Sequence, residues 1–195
     1  MIELRLLDYP IVKEIYEEYL EKEFTDDERK PLVVLKILMK LNIYECYGMY
    51  EDNELTGYAF MCRGKDGQTI LLDYLEIIQK YRGQGYGSKI LKLLQEKFAD
   101  KKYLIAEVES LEQASDEENL LLRSRRRAFY EKNGFKETSL TLMMFNTMLN
   151  IYVTPLRQEI NEEELAASMN QIYDSLYYDK LIRTRVVLSE PKGNN

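Results

Sequence analysis

The stretch Tyr81 to Ser88, reading YRGQGYGS, constrains this chain more than any other. Before it, Ile70, Leu71, Leu72, Asp73, Tyr74, Leu75, Glu76, Ile77 and Ile78 read as a largely buried strand. After it, Ile90, Leu91, Leu94 and Phe98 recur at helical spacing, with lysines and glutamates between them. A strand, a glycine-rich loop and a helix together aim backbone N–H groups outward at a helix N-terminus, which is how a pyrophosphate is gripped. Gly83, Gly85 and Gly87 lack Cβ atoms, so a phosphate can lie close to the backbone and positive φ costs little. Arg82 adds a fixed cation beside the same anion. A glycine-rich turn that only caps a helix is the competing reading.

Two common nucleotide-binding patterns fail here. A P-loop counted from Gly83 needs its second glycine where Ser88 stands, and the dinucleotide pattern Gly-x-Gly-x-x-Gly fails at the same residue. The latter also belongs at the first strand of its unit, whereas about seventy residues precede this one. What fits is Arg/Gln-x-x-Gly-x-Gly/Ala, supplied by Arg82, Gly85 and Gly87. In these residues the chain resembles the GNAT superfamily of acyl-CoA-dependent N-acyltransferases. Some forty residues on, Arg127, Ala128, Phe129, Tyr130, Glu131, Lys132, Asn133, Gly134 and Phe135 look like that family's Leu-Tyr-Glu-Lys-x-Gly-Phe segment. Asn133-Gly134 reads as a helix stop with Gly134 as the left-handed cap, and Phe135 starts the next strand.

The resemblance implies an α/β (α+β) fold: a mixed, mostly antiparallel central sheet, splayed at the cofactor site, flanked by helices and followed by a C-terminal helical extension. It implies acetyl-CoA as cosubstrate, held by Arg82, Gly83, Gln84, Gly85, Tyr86, Gly87 and Ser88. Where the sheet splays, the pantetheine amides would pair with backbone near Leu75 and Ile77, and an N–H there would meet the thioester carbonyl. By the same resemblance Tyr130 sits near the sulfur and protonates the departing thiolate; packing of Phe129 and Tyr130 against the sheet is the competing reading. One position departs from the pattern. Many relatives carry Asn seven residues before that tyrosine, on the pantetheine arm, and here it is Arg123, in the run Arg123, Ser124, Arg125, Arg126, Arg127. Those arginines face the cofactor's 3′-phosphate, an acidic partner, or solvent beside nearby acids.

At 195 residues and 45% apolar, the chain suits one globular domain, read as 1–158 with an extension at 159–195 and a disordered tail from about 189. A net charge of −7 argues against nonspecific nucleic-acid or anionic-membrane binding. There is no apolar run of bilayer-spanning length, and Met1-Ile2-Glu3-Leu4-Arg5 has no signal-peptide pattern. The expectation is a cytoplasmic protein, monomer or homodimer. With no histidine, histidine metal sites and His-based triads are excluded, and no metal is expected. Cys46 and Cys62 fall on neighbouring strands of a hairpin turning near Asp52-Asn53; that turn sets Cys46 opposite Ala59, so no disulfide is expected.

Along the chain, 1–7 reads as a strand, and Asp8 with Pro10 starts a helix through Phe24 whose inward face is Ile11, Ile15, Tyr16, Tyr19 and Leu20. Thr25 and Glu28 have capping-box spacing for a second helix with Val34, Leu35, Leu38 and Leu41 inward. The resemblance puts the acceptor cleft between these helices. Residues 43–50 and 55–63 make the hairpin and 103–110 the next strand; Glu112 to Glu118 reads as a mobile acidic loop. Residues 135–145 and 150–155 read as an antiparallel pair. Asn161 and Glu164 have capping-box spacing for a last helix with Leu165, Met169, Ile172, Tyr173 and Leu176 on one stripe, and 181–188 as a short strand. That stripe packs on the chain's own sheet or on a second subunit.

An alkylammonium titrates near 10, so the acceptor amine must lose a proton before it attacks. Without histidine the base is a carboxylate, acting through water, or solvent itself. Glu107 is the candidate, with Glu109 on the same strand face and Asp73 on the cofactor strand as further acids. Grouped acids would draw a cationic acceptor, a small-molecule or peptide amine. The expected activity is acetyl transfer from acetyl-CoA to a primary amine by direct attack in a ternary complex. The alternative is a GNAT-like module that binds acyl-CoA without turnover.

Overall fold

A computed structural model of the chain describes residues 1–25, 29–177 and 179–191. It is an α/β protein of eight strands, mostly antiparallel, flanked by helices. The residues group into two compact units, Met1–Cys62 with Asp73–Leu94, and Arg63–Leu72 with Gln95–Asn195.

In the first unit, β1 (Ile2–Leu6) pairs antiparallel with β2 (Tyr44–Glu51), which pairs with β3 (Glu54–Arg63). Beside β3 runs β4 (Thr69–Ile77), whose last five residues belong here. Asp8 caps α1 (Tyr9–Ile15), its side chain accepting from the Ile11 N–H at 3.2 Å. The expected single helix is interrupted: Tyr16–Leu20 form a π-helical turn and Glu21–Glu23 a short α2. Val12, Ile15, Tyr16 and Leu20 are buried and Ile11 is exposed, so the inward face is centred one residue further on than the sequence pattern suggests. For the second helix, Glu28 of the expected capping box lies outside the described residues. That helix, α3 (Leu32–Lys40), starts behind Pro31 and buries Leu35 and Leu38; Leu41 falls past its end and is exposed.

The hairpin forms as expected, but its register does not. A bulge between Met49 and Tyr50 inserts one residue, so Cys46 lies opposite Phe60 and Ala59 opposite Tyr47. Cys46 and Cys62 are buried and no disulfide joins them.

In the second unit the strand order is β4 (residues 69–72), β5 (Tyr103–Glu109), β7 (Thr147–Pro155), β6 (Lys136–Met144), β8 (Val186–Leu188). β4 and β5 are parallel; the other pairs are antiparallel. β7 starts three residues before the expected position because Phe145 takes a left-handed φ of 55° and closes a tight turn. The acidic stretch is structured rather than a loop: Leu111–Gln113 form a 3-10 turn, and Asp116 caps α5 (Glu117–Lys132) by accepting from the Asn119 N–H at 2.8 Å. Acids in a first helical turn are favoured by the helix dipole.

α6 (Glu162–Leu176) is capped by Asn161, which accepts from the Glu164 N–H at 3.0 Å. It buries Leu165, Met169, Ile172, Tyr173 and Leu176. Met169, Ile172 and Tyr173 lie against Leu71 of β4 and Ile105 of β5. The expected strand at 181–188 is only half strand: Asp179 caps a helical turn, α7 (Lys180–Arg183), and β8 follows. Ser189 still hydrogen-bonds Thr141 on β6, through both its N–H and its Oγ; residues 192–195 of the expected tail lie outside the described ones.

The end of α5 sets the position of Tyr130. Gly134 has φ 88°, its N–H donates to the Glu131 carbonyl at 3.1 Å, and the Phe135 N–H donates to the Tyr130 carbonyl at 3.1 Å. That pair of bonds is a Schellman motif. A Cβ on Gly134 would meet no atom within 4 Å, so Gly134→Ala tests backbone strain alone. It should lower the unfolding free energy by about 1–2 kcal/mol in urea titration; an unchanged midpoint would mean that the cap contributes nothing.

Candidate active site

In the first unit, β4 ends at Ile77, Gln79–Tyr81 make one 3-10 turn, and α4 (Tyr86–Lys97) begins at the tyrosine of the glycine loop. Gly83 and Gly85 have φ of 74° and 83°, conformations that side chains with a Cβ resist. A Cβ at either would meet no atom within 4 Å, so the space over the loop is open to a ligand. The Gly85 carbonyl accepts from the Lys89 N–H at 3.2 Å, the first bond of the helix. The N–H groups of Tyr86, Gly87 and Ser88 therefore fall in the first turn, which has no intrahelical acceptors. Gln84 braces the loop through its Nε2, 2.8 Å from the Lys80 carbonyl, and the Tyr86 hydroxyl donates to Glu51. Outward N–H groups beneath open space would fit a pyrophosphate.

Arg82 is held sideways. Its Nε donates to the Ile77 carbonyl at 3.0 Å, and its Nη2 lies 2.7 Å from both Glu76 Oε1 and Glu23 Oε2. Glu76 is mostly buried, and burial raises its pKa even beside Arg82. Its carboxylate also accepts from the Ile77 N–H at 3.0 Å, so it sits on the backbone that Leu75 and Ile77 present.

The β4–β5 ladder beside that backbone is short. β4 and β5 pair from Thr69↔Tyr103 to Leu72↔Ala106, and no later pair is present among the described residues, although β4 continues to Ile77 and β5 to Glu109. Just past the break, Asp73 forms an ion pair with Lys30, Nζ lying 2.9 and 2.6 Å from its two oxygens, and the Tyr44 hydroxyl donates to it. Both side chains are about nine-tenths buried, at 12% and 10% exposure. Asp73 is therefore compensated and is not the open charge expected from the sequence.

The second unit holds Tyr130 and Glu107. Tyr130 is buried between Phe129 and Phe135, with ring centroids 5.2 Å away in each case. Burial pushes its hydroxyl pKa up to about 12, with Arg126 opposing and Glu107 adding, so Tyr130 keeps its proton at neutral pH. Glu107 Oε1 accepts from the hydroxyl of Tyr173 on α6 at 2.6 Å. Glu109, the further candidate acid on the same strand face, is ion-paired to Arg126 and lies 3.6 Å from Arg123 Nη2. Arg123 is buried and donates to the Ser110 carbonyl at 2.5 Å, while Arg127 pairs with Glu131 and Glu137. Arg126 and Arg127 thus pair with acids of their own unit, whereas the buried Arg123 has no partner for its Nε among the described residues.

The structure brings Arg82 together with the Leu75–Ile77 strand end, and Tyr130 together with Glu107; each set belongs to its own unit. Sequence reasoning passed over Glu76, Glu23 and Tyr173 as site residues. Glu76 was legible as the acid between Leu75 and Ile77. Glu23 and Tyr173 come from distant segments, and no local pattern marks them. Among the described residues no group of three or more acids or cysteines could hold a metal, and no helix is long and apolar enough to cross a membrane.

A family profile described as "Acetyltransferase (GNAT) domain" matches residues 42–137. The chain is 26% identical to YjbC of Bacillus subtilis (strain 168), assigned as an acetyltransferase, over 91% of this chain and 95% of that protein. Among solved structures it is similar to a Bacteroides thetaiotaomicron protein assigned as a GNAT-family acetyltransferase, with TM-score 0.70 and 18% identity, covering 91% of this chain and 99% of that one. It is also similar to a GNAT family acetyltransferase from Elizabethkingia anophelis with acetyl-CoA bound, with TM-score 0.54 and 19% identity, covering 80% and 98%.

The buried Asp73–Lys30 pair yields a direct test. Asp73→Ala leaves a desolvated ammonium without its carboxylate, which typically costs about 3–5 kcal/mol. Equilibrium denaturation should show a loss of that size; a loss under about 1 kcal/mol would mean the pair is solvated.

Proposed function

We propose that this chain, which belongs to the GNAT acetyltransferase family, moves an acetyl group from acetyl-CoA to a primary amine by direct attack in a ternary complex. The observation that carries the cosubstrate is the glycine loop: two left-handed glycines with open space above them at the start of α4. In this reading the backbone from Gly83 to Ser88 binds the pyrophosphate, with Arg82, Gln84 and Tyr86 shaping the loop. The acetyl-CoA bound by the Elizabethkingia anophelis protein of similar fold supports that choice of ligand. When bound, acetyl-CoA supplies an activated acyl carbon and a good leaving group.

The remaining work falls to the chain. Leu75 and Ile77 lie past the end of the β4–β5 ladder; the Leu75 backbone would orient the pantetheine arm, and the Ile77 N–H, held here by Glu76, would polarise a carbonyl once that side chain releases it. Tyr130, protonated across the physiological range, serves as hydrogen-bond donor to the sulfur as charge develops there. A phenol held near 12 binds its proton more tightly than a thiolate with an ordinary pKa of about 8.5. Its contribution is therefore stabilisation in the transition state, and the final proton reaches the thiol through solvent. Glu107, oriented by Tyr173, is assigned as the carboxylate that receives the amine's proton through water. The reading takes residues 1–158 as the acyltransferase domain and 159–195 as its extension. The Tyr173–Glu107 bond and a second one, from Ser168 Oγ to Asp66 at 2.9 Å, support that division.

Two experiments test the proposal. CoA or acetyl-CoA should raise the melting temperature by mass action. Gly85→Asp, which places a negative side chain in the cradle, should abolish that rise with little change in the ligand-free midpoint. Equal shifts in both proteins would remove the loop from the site. Tyr130→Phe should lower kcat about 10- to 1,000-fold with acetyl-CoA affinity nearly unchanged, the pattern of a contact made in the transition state. Unchanged kcat in single-turnover measurements would reduce Tyr130 to a packing residue.

A further inference from the structure

Tyr58 on β3 is fully buried, and its hydroxyl has no hydrogen-bond partner among the described residues. A buried, unpaired hydroxyl is destabilising, so its presence asks for a ligand or a function. Its surroundings are specific. The Ile78 N–H donates to the Thr56 carbonyl at 3.0 Å, and the Gly64 N–H to the Thr69 carbonyl at 2.9 Å, which makes β3 and β4 antiparallel. Two residues along each strand from Thr56 and Ile78 stand Tyr58 and Glu76, near enough for the Glu76 charge to act on the Tyr58 hydroxyl. The ring of Tyr19, on the π-helical turn, lies 6.5 Å from that of Tyr58, and Glu23 follows on the next turn of chain. Arg82 bridges Glu23 and Glu76 and fixes both carboxylates at one place. Burial first, and then the Glu76 and Glu23 carboxylates, oppose ionisation of Tyr58, while Arg82 acts the other way. All of these residues belong to the first unit.

The arrangement has an excess of acceptors. Two carboxylates face one guanidinium, which leaves one negative charge over, and the protonated Tyr58 oxygen offers lone pairs with nothing to receive. An alkylammonium carries three N–H donors and one positive charge, the complement of this set. We propose that Glu23, Glu76 and Tyr58 form the acceptor subsite, and that it takes an aliphatic primary ammonium with no carboxylate of its own, such as the end of a diamine or a lysine side chain. This rests on the amine-acetylating reading above and names its substrate class. Glu76 also lies on the Ile77 N–H, which sets the ammonium beside the strand end assigned to the thioester. An anion at the glycine loop competes for Arg82 and leaves the two carboxylates more negative, which strengthens the subsite. An acceptor bearing a nearby carboxylate meets repulsion from Glu23 and Glu76.

The test compares 1,5-diaminopentane and butylamine with β-alanine, an amine of similar size ending in a carboxylate. Thermal shift reads binding of each amine, with and without CoA, and CoA release from acetyl-CoA reads turnover. The two carboxylate-free amines should shift the wild-type melting temperature and show a KM at least about tenfold below that of β-alanine, whose carboxylate meets repulsion from Glu23 and Glu76. Glu76→Gln, Glu23→Gln and Tyr58→Phe should each raise the diamine KM about tenfold or more. Tyr58→Phe should do so while leaving the ligand-free melting temperature equal or higher, because it removes an unpaired buried hydroxyl. A merely structural tyrosine would not separate the two readouts. Preference for β-alanine, unchanged diamine KM in all three variants, or no diamine-induced shift with or without CoA would overturn the subsite. Amine shifts that the variants abolish, with no CoA release from any amine, would instead retain the subsite and overturn the acetyl-transfer reading.

Discussion

The parallel ladder between β4 and β5 lasts four residues, and what the end of β4 can offer depends on where it stops. A continuous ladder would occupy the backbone of residues 73–77, and their N–H and C=O groups would serve the sheet alone. Because pairing with β5 ends at Leu72, the same strand supplies core residues at one end and, at the other, backbone that side chains hold, with the Ile77 N–H on Glu76 and its C=O on Arg82. Ile70 and Leu71 are buried at 0% and 2% exposure, whereas Leu75, Glu76 and Ile77 are partly exposed. Gly57 keeps this strand end close to β3: a Cβ there would lie 2.8 Å from the Glu76 carbonyl and 2.7 Å from Ile77 Cδ1. Any larger residue would push the strands apart beside Glu76 and Tyr58.

Charge in this protein is organised locally. The net charge of −7 suggests an acidic surface able to steer cations, yet the acids nearest the splayed strand are mostly compensated. Asp73 has Lys30, and Glu109 has Arg126 and Arg123. Burying these carboxylates without partners would cost several kcal/mol each, so pairing is the condition for placing them there. The Glu23–Arg82–Glu76 bridge differs because one cation serves two acids. Summed charge is blind to that distinction, which arises from which side chains meet.

Several features were legible in the residues because their causes are local. A left-handed cap needs glycine, and Gly134 supplies it where Tyr-Glu-Lys-Asn-Gly-Phe predicts a helix stop. Asp8 and Asn161 cap the helices that their spacing announces. Other expectations failed for equally physical reasons. The alternation of the hairpin carries no mark of the bulge at Met49, so the Cys46 register came out one residue off. The π-helical turn at Tyr16–Leu20 changes the helical period, and a stripe drawn at constant period misassigned Ile11. Acids read as a mobile loop instead formed a cap and a first helical turn, because one aspartate in the right place accepts the backbone N–H that the helix leaves open.

By itself the sequence determined the glycine loop, the tyrosine at the end of its helix, the strand that precedes them and hence the likeness to the GNAT family. Each of these depends on residue type at fixed short spacing, where sterics and backbone hydrogen bonding decide. Tertiary structure alone decided which charges are neutralised and which polar groups lack partners. Lys30 reaches Asp73 across 43 residues, Tyr173 reaches Glu107 across 66, and Glu23 meets Arg82 from a separate helix. Such encounters arise from packing of segments remote in the chain, and no spacing rule encodes them. The physical reason is that burial and pairing are properties of the space around a side chain, and that space exists only once the strands and helices have assembled.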